Sequence, residues 1–348
     1  MKKVIIGKKS IGLGESCFIS LEPSATYTDL EGAKRLTKAS SEAGADAVKF
    51  QTLFPGDSDR ILGKKDLKVN FSTSTGKKEE LMHDAIKRRE LTKKEWKELV
   101  DYAKKLNLMF ISSPYFLETV DFLVQINVDA IKISKGDINN VILIEKIART
   151  RLPIILDGRE KFDDVERAIK ICEDNGNEQI IIMHCPSGYP TESSDVHLNA
   201  IKTIHKKYDY PVGFADHSLG DIMNYAAIAI GANMLEKTIT LDKTTENSEH
   251  YMSLEPRELR SFIQNVRSVE SAMGSSEILK SSRVSEDVRR CFVAKRDIQK
   301  GERISISMLD FKRPGNAGIS CSEGHLILKK TAKIDISKDT FLQWKMLN

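Results

Sequence analysis

Cysteine is scarce and carries no pattern. The five residues, Cys17, Cys172, Cys185, Cys291 and Cys321, are odd in number, widely scattered and nowhere spaced Cys-x-x-Cys. That excludes a disulfide framework, a zinc ribbon and a dithiol redox site, and points to reduced thiols in a cytoplasm. An excess of charge of one sign is missing too: 54 Lys and Arg stand against 50 Asp and Glu, a net +4. Such a surface offers no basic stripe for nucleic acid, though it is compatible with a local anion pocket. Long apolar runs are also absent. None approaches the ~18 residues of a membrane span. Gly7, Lys8 and Lys9 interrupt the opening MKKVIIGKKSIG before a signal-peptide core forms, so a cytoplasmic protein is expected.

What is present is a repeated alternation of short apolar runs with helix-period segments. At 348 residues the chain suits one large barrel plus a small module. Residues 3–13, two apolar pieces around Gly-Lys-Lys, read as a hairpin able to plug the bottom of a barrel. Strands are expected at 17–21, 46–51, 108–112, 130–134, 153–156, 179–183, 212–215 and 232–238, each followed by a helix. Strand–helix pairs in that number, over about 260 residues, make a TIM-type (β/α)8 barrel. Thr92 with Glu95 forms a capping box for a helix carrying Trp96, Leu99, Val100 and Ala103. Ser253 and Pro256 open the last helix. Residues 52–80 are polar, lysine-rich and too long for an ordinary barrel loop, and read as a lid or as disorder. After Gly274 the texture changes. The domains expected are a barrel over 1–274, a polar linker over 275–289 and a small β-rich module over 290–348.

In a parallel barrel the carboxyl ends of the strands form the face where chemistry is done. Lys49 (in VKFQ) and Lys132 (in AIKIS) interrupt apolar strands there. A buried ammonium must be paired or bound to an anion. Two lysines aimed at one mouth favour a phosphate or carboxylate ligand over two purely structural ion pairs. Ser112, Ser113 and Ser134 add hydroxyl donors at that level. His184 and His217 each end a strand, which suits metal binding or acid–base work as well as a structural role. Glu236-Lys237 reads as a buried ion pair, and Glu249-His250 as a turn able to fold back over the mouth.

The segments GADAVKFQ (44–51), FISSPYFLETVDFL (110–123), IKIS (131–134), HCPSGYPT (184–191), VGFADHSLG (212–220) and KRPGNAGIS (312–320), taken in order, resemble the sialic acid synthase (N-acylneuraminate synthase) family. The resemblance covers nearly the whole chain. It implies a TIM barrel followed by an antifreeze-like SAF (β-clip) domain. It also implies condensation of phosphoenolpyruvate (PEP) with an N-acylated mannosamine-type sugar, or a phosphorylated or amino relative, giving a nine-carbon 2-keto acid and phosphate. The metal it implies is a divalent one, Mn2+ or Mg2+, that polarises the sugar aldehyde. By position Lys49, Lys132, Ser113 and Ser187 correspond to the PEP contacts, Tyr189 to a substrate contact and His217 to one metal histidine. Gln51 and Ser134 fall in the same matched segments and are expected at the substrate. Arg313 matches an arginine that reaches the sugar's acyl group from a partner subunit, which implies a domain-swapped homodimer.

The departures from the family pattern cluster at the functional face. Its NHNG signature is replaced by LEPSATYTDL, with Glu22 standing near the place of a strand-end glutamate. The second metal histidine of an EKH-type triplet is Thr238, leaving His184 or His250 to take its role. An SGE-like turn carries Lys135 with Asp137 in the acidic position, an STG turn reads Asp157-Gly158-Arg159, and Glu249 stands for an aspartate. Lys135 and Arg159 add positive charge, which suits a phosphorylated or acidic acceptor. Two other functions are compatible with the residues: a non-catalytic carbohydrate-binding or assembly protein, and a lysine Schiff-base aldolase using Lys132 or Lys49.

Overall fold

The structure is a computed structural model and describes residues 1–158, 162–274, 288–313 and 318–348. It divides into two compact units, Met1–Gly274 and Ser275–Asn348. Most of the expected linker, with Arg159, lies outside the described residues.

The first unit opens with the expected hairpin, β1 (Val4–Ile6) against β2 (Lys9–Ile11). The barrel begins with β3 (Phe18–Glu22), α1 (Leu30–Ala43) and β4 (Ala47–Gln51). Before the next barrel strand come α2 (Asp57–Ile61), an antiparallel hairpin of β5 (Lys68–Thr73) and β6 (Gly76–Leu81), α3 (Met82–Lys87) and α4 (Lys93–Lys105). The alternation then continues through β7 (Met109–Ser113), α5 (Leu117–Gln125), β8 (Ala130–Ile133), α6 (Val141–Arg149), β9 (Ile154–Asp157) and α7 (Phe162–Asp174). It ends with β10 (Ile180–His184), α8 (Ala200–Lys207), β11 (Val212–Asp216), α9 (Ile222–Ala229), β12 (Met234–Thr238) and α10 (Pro256–Met273). The parallel strands close in the order β3-β4-β7-β8-β9-β10-β11-β12, with β12 paired back to β3. No described helix is long and apolar enough to cross a membrane.

Local signals explain the helix starts. Thr92 and Glu95 cap α4 reciprocally, as the sequence predicts. At α10 the cap is Glu255, boxed with Glu258. Ser253 instead donates its hydroxyl to the Glu249 carbonyl.

Strand alternation separates two apolar layers. Ile19, Leu21, Val48, Phe50, Phe110 and Phe214 face outward and pack with helix residues such as Leu36, Trp96 and Leu99. Phe18, Ala47, Ile111, Ala130, Ile181, Met183 and Met234 face inward, and Val4, Ile6 and Ile11 of the hairpin plug them from below. The floor is tight at Gly213, where an added Cβ would lie 2.1 Å from Met183 Sδ and 3.1 Å from Met234 Cβ. Gly213→Val is therefore expected to destabilise the barrel by about 1–3 kcal/mol through overpacking. Urea unfolding checks this, with a smaller loss expected for Gly213→Ala, because the Met183 side chain can shift.

The stretch over 52–80, read as lid or disorder, folds as a helix and hairpin tied to the loop after β12. Glu80 accepts from the Ser248 N–H at 2.9 Å and pairs with Arg88, and Lys78 pairs with Glu246 at 2.5 Å.

The second unit pairs β13 (Cys291–Ala294) antiparallel with β14 (Leu309–Lys312). Its small core includes Phe292, Ile298, Ile304, Ile319, Ile336 and Leu342. None of the five cysteines forms a disulfide among the described residues.

Candidate active site

The inward positions change character toward the carboxyl ends of the strands. Below they are apolar; above they are Ser20 and Glu22 on β3, Lys49 and Gln51 on β4, Lys132 on β8, Asp157 on β9 and Glu236 and Thr238 on β12. They end in a cavity of about 470 Å³, into which the β10 and β11 ends bring Ser187, Tyr189 and His217.

Lys49 and Lys132 are each 4% exposed and line this cavity. Lys49 pairs with Glu22 on the neighbouring strand, and Lys132 with Glu236, whose strand stands across the barrel in the strand order. Burial is the largest influence on Lys132 and works against its charge, yet Glu236 and the other acids around it hold its pKa above the ordinary lysine value. Burial likewise opposes ionisation of Glu22, but the charges of Lys49 and Lys132 prevail and hold it below the usual carboxylate value. The lysines are thus both paired and presented to a cavity. Glu236 Oε2, Ser20 Oγ, Ser113 Oγ and Thr238 Oγ1 are buried without a hydrogen-bond partner among the described residues. Burial of an unsatisfied polar atom is costly, and a polar ligand or water in the cavity is what would satisfy such atoms.

Several wall residues carried no clear sequence signal. Gln51 Oε1 accepts from Arg89 Nη1 at 3.1 Å and from the Tyr115 hydroxyl at 2.8 Å. Arg89 sits in the charged run KRRE, where nothing marks it as buried. Tyr115 was legible only as an aromatic just past a strand end. Met82 and Ser24 complete this side. Glu249 lines the cavity with its Oε2 accepting from the Ala25 N–H at 3.1 Å, in a backbone of φ 72°.

The other expected residues are distributed as follows. Ser134, Lys135 and Gly136 line the cavity; Asp137 does not, and it accepts from Ser134 Oγ at 3.1 Å from behind. Burial raises the Asp137 pKa. Ser113 stands level with Gln51 in the register and is buried, but it is not among the residues that line the cavity. Arg313 is exposed just after β14 in the second unit. Glu236 and Lys237 do not pair, because consecutive strand residues face opposite sides: Glu236 faces in toward Lys132 and Lys237 faces out toward Asp216.

The three histidines do not converge. His184 has the outward phase of Ile180 and Ile182; it stacks on Phe214 and donates from Nε2 to the Val196 carbonyl at 2.7 Å. His250 is buried within the loop after β12, with Nδ1 2.8 Å from Thr240 Oγ1 and 3.2 Å from the Asp242 carbonyl. His217 alone of the three reaches the cavity, its ring centroid 4.7 Å from that of Tyr189. At its level on β12 stands Thr238, a neutral hydroxyl and a weak metal ligand. No three His, Cys, Asp or Glu side chains among the described residues are arranged to hold a metal ion. A two-histidine metal site does not fit these residues.

Burial also lowers the His250 pKa, with the Asp242 carbonyl opposing. The unfolded imidazole, near pH ~6.5, then takes up its proton first on acidification. This contribution to stability is complete above that pH and is lost as the pH falls toward the folded value. The urea midpoint should drop between about pH 7 and 5, and His250→Asn should drop less steeply.

Residues 36–278 match the NeuB family and residues 289–348 the SAF domain. An uncharacterized protein of Methanocaldococcus jannaschii is 39% identical over 99% of this chain and 98% of its own length. The N,N'-diacetyllegionaminic acid synthase of Legionella pneumophila is 32% identical over 98% of this chain and 97% of its own. Among solved structures, the N-acetylneuraminic acid synthetase of Leptospira borgpetersenii superposes with a TM-score of 0.71 at 28% identity, covering 82% of this chain and 94% of that one.

Proposed function

The chain belongs to the NeuB family, and on that premise we propose that it is a transferase that condenses PEP with an N-acylated amino sugar, releasing phosphate and a nine-carbon 2-keto acid. The observation that carries this reading is the pair of buried lysines, Lys49 and Lys132, facing one cavity at the carboxyl ends of the barrel strands. PEP brings a carboxylate and a phosphate. Preorganised ammonium groups in a buried cavity are what such an anionic head requires, both in the ground state and as phosphate departs.

The bond changes balance without an external reductant or oxidant. The PEP methylene carbon bonds to the sugar's aldehyde carbon, whose oxygen takes a proton. Water adds to PEP carbon 2, and the carbon–oxygen bond to phosphate breaks. Of the two water protons, one ends on the new hydroxyl and the other on phosphate. Lys49 and Lys132 hold the anionic groups, while Glu22 and Glu236 pair with those lysines and aim them. Ser134, Ser187, Tyr189, Gln51, Lys135 and Glu249 are the wall for the acceptor. His217, at the mouth, is placed to exchange a proton with the aldehyde oxygen.

A divalent metal is part of the family expectation, but this chain offers one cavity-facing imidazole where two are expected, so no step is assigned to a metal. Homodimerisation in the cytoplasm and acyl-group recognition by Arg313 belong to the same proposal. A Schiff-base role for Lys132 is disfavoured, because its neighbours raise its pKa and an amine nucleophile must be deprotonated.

The test is phosphate release by EDTA-treated protein given PEP and a panel of N-acylmannosamines, their 6-phosphates and 2,4-diacetamido-trideoxyhexoses, with and without manganese. Release that requires a sugar is expected. Absence of release with every sugar, together with absence of PEP binding, overturns the reading, and sugar binding without release supports a carbohydrate-binding protein instead.

A further inference from the structure

Lys237 is 0% exposed and sits on the outward face of β12, away from the cavity. Its ammonium donates to Asp216 Oδ2 and to the Ser218 carbonyl, both at 2.7 Å. Asp216 Oδ1 accepts from the Ser218 N–H at 2.8 Å and its hydroxyl at 2.7 Å, and Oδ2 also accepts from Asn224 Nδ2 at 2.6 Å. Every one of these bonds falls on a residue flanking His217. The His217 carbonyl itself accepts from the Thr191 N–H at 2.9 Å. The backbone over 216–218 is therefore held from β12, α9 and the loop after β10 at once.

A buried ion pair is a poor source of stability compared with apolar packing. Its placement is what distinguishes this one: alternation turns Asp216 out to Lys237 and His217 in to the cavity. We infer that Lys237, acting through Asp216 and the Ser218 carbonyl, is a positioning residue that fixes how the His217 imidazole enters the site. This rests on the reading of His217 given above, but its geometric content stands apart from catalysis. The imidazole has a bond of its own, Nδ1 to the Pro186 carbonyl at 3.4 Å, and the clamp acts on the main chain that carries the ring.

The test compares Lys237→Met with the double variant Asp216→Asn/Lys237→Met. The single variant leaves Asp216 buried without its counter-ion and serves only if it folds; the double removes both charges at similar volume and keeps the comparison possible. Two readouts are taken: kcat and KM for PEP by phosphate release, and the ring-nitrogen resonances of 15N-histidine-labelled protein, with His217 assigned by its loss in His217→Gln.

In the folded double variant, kcat is expected to fall about 10–100-fold, since misplacement by an ångström is enough for that, with KM for PEP nearly unchanged. The His217 ring signals should move while those of His184 and His250 hold. Unchanged His217 signals overturn the proposal, whether or not kcat falls. Shifts in all the histidines with loss of PEP binding also overturn it, since they mark a general structural role. If the wild-type protein neither binds PEP nor releases phosphate with any sugar of the panel, the proposed function fails and the resonances alone decide the positioning.

Discussion

Lys132→Met is expected to lower kcat/KM for phosphate release at least ~10³-fold, the scale on which loss of a preorganised charge at a reacting anion is felt. The same substitution strips Glu236 of its partner inside the barrel, where it is 2% exposed. Breaking a buried pair from one side typically destabilises by about 3–5 kcal/mol. Activity and stability are therefore confounded in the single variant. Lys132→Met/Glu236→Gln separates them: with no uncompensated charge, the fold should recover most of its urea resistance while phosphate release stays near background. A double variant that is both stable and active would reduce Lys132 to a structural residue and remove the main support for PEP binding. The pair makes this test sharp because it spans the barrel, joining β8 to β12. No other described contact replaces it, since the second carboxylate oxygen of Glu236 has no partner among the described residues.

His217→Gln is expected to lower kcat by about 10²–10⁴-fold, the range for losing a positioned proton-transfer group. It should leave PEP binding nearly intact, because the lysines and not the imidazole carry the anion. Calorimetric titration with PEP and the rate of phosphate release measure the two separately. His184→Gln serves as the control. Its ring lies in the layer between strand and helix, bonded to the Val196 carbonyl. Its loss should cost about 1 kcal/mol of stability, as for one hydrogen bond, with kcat unchanged. If instead His184→Gln abolishes turnover and His217→Gln does not, the assignment of faces on β10 and β11 is wrong.

The two histidines show where sequence reasoning stopped. Both end apolar runs at the mouth, and both read as site residues. Along residues 180–183 the run is apolar throughout, because a strand buried on both faces needs apolar side chains on each. Such a run carries no phase, so nothing in it says whether His184 points to the barrel interior or to the helices. The same ambiguity made Glu236 and Lys237 look like partners. The true partner of Glu236 is 104 residues away in sequence, and proximity across a closed sheet leaves no trace in local spacing. The loop over 52–80 was ambiguous for a different reason: its contacts, such as Glu80 with Ser248, lie on another loop distant in the chain.

The sequence by itself determined the periodic design. Apolar runs alternating with amphipathic helices, capped where Thr92 and Glu95 predict, can bury their faces in few ways, and a parallel barrel is one of them. Lysine inside the apolar strands around Lys49 and Lys132 also had to mean charge brought to a buried place for a reason, since a bare ammonium there is prohibitive. The tertiary structure alone decided which way each strand residue faces, which carboxylate meets which lysine, and that His217 enters the cavity while His184 and His250 do not. Strand order and register set those outcomes, and they arise only when the sheet closes and residues far apart in the chain come level with one another.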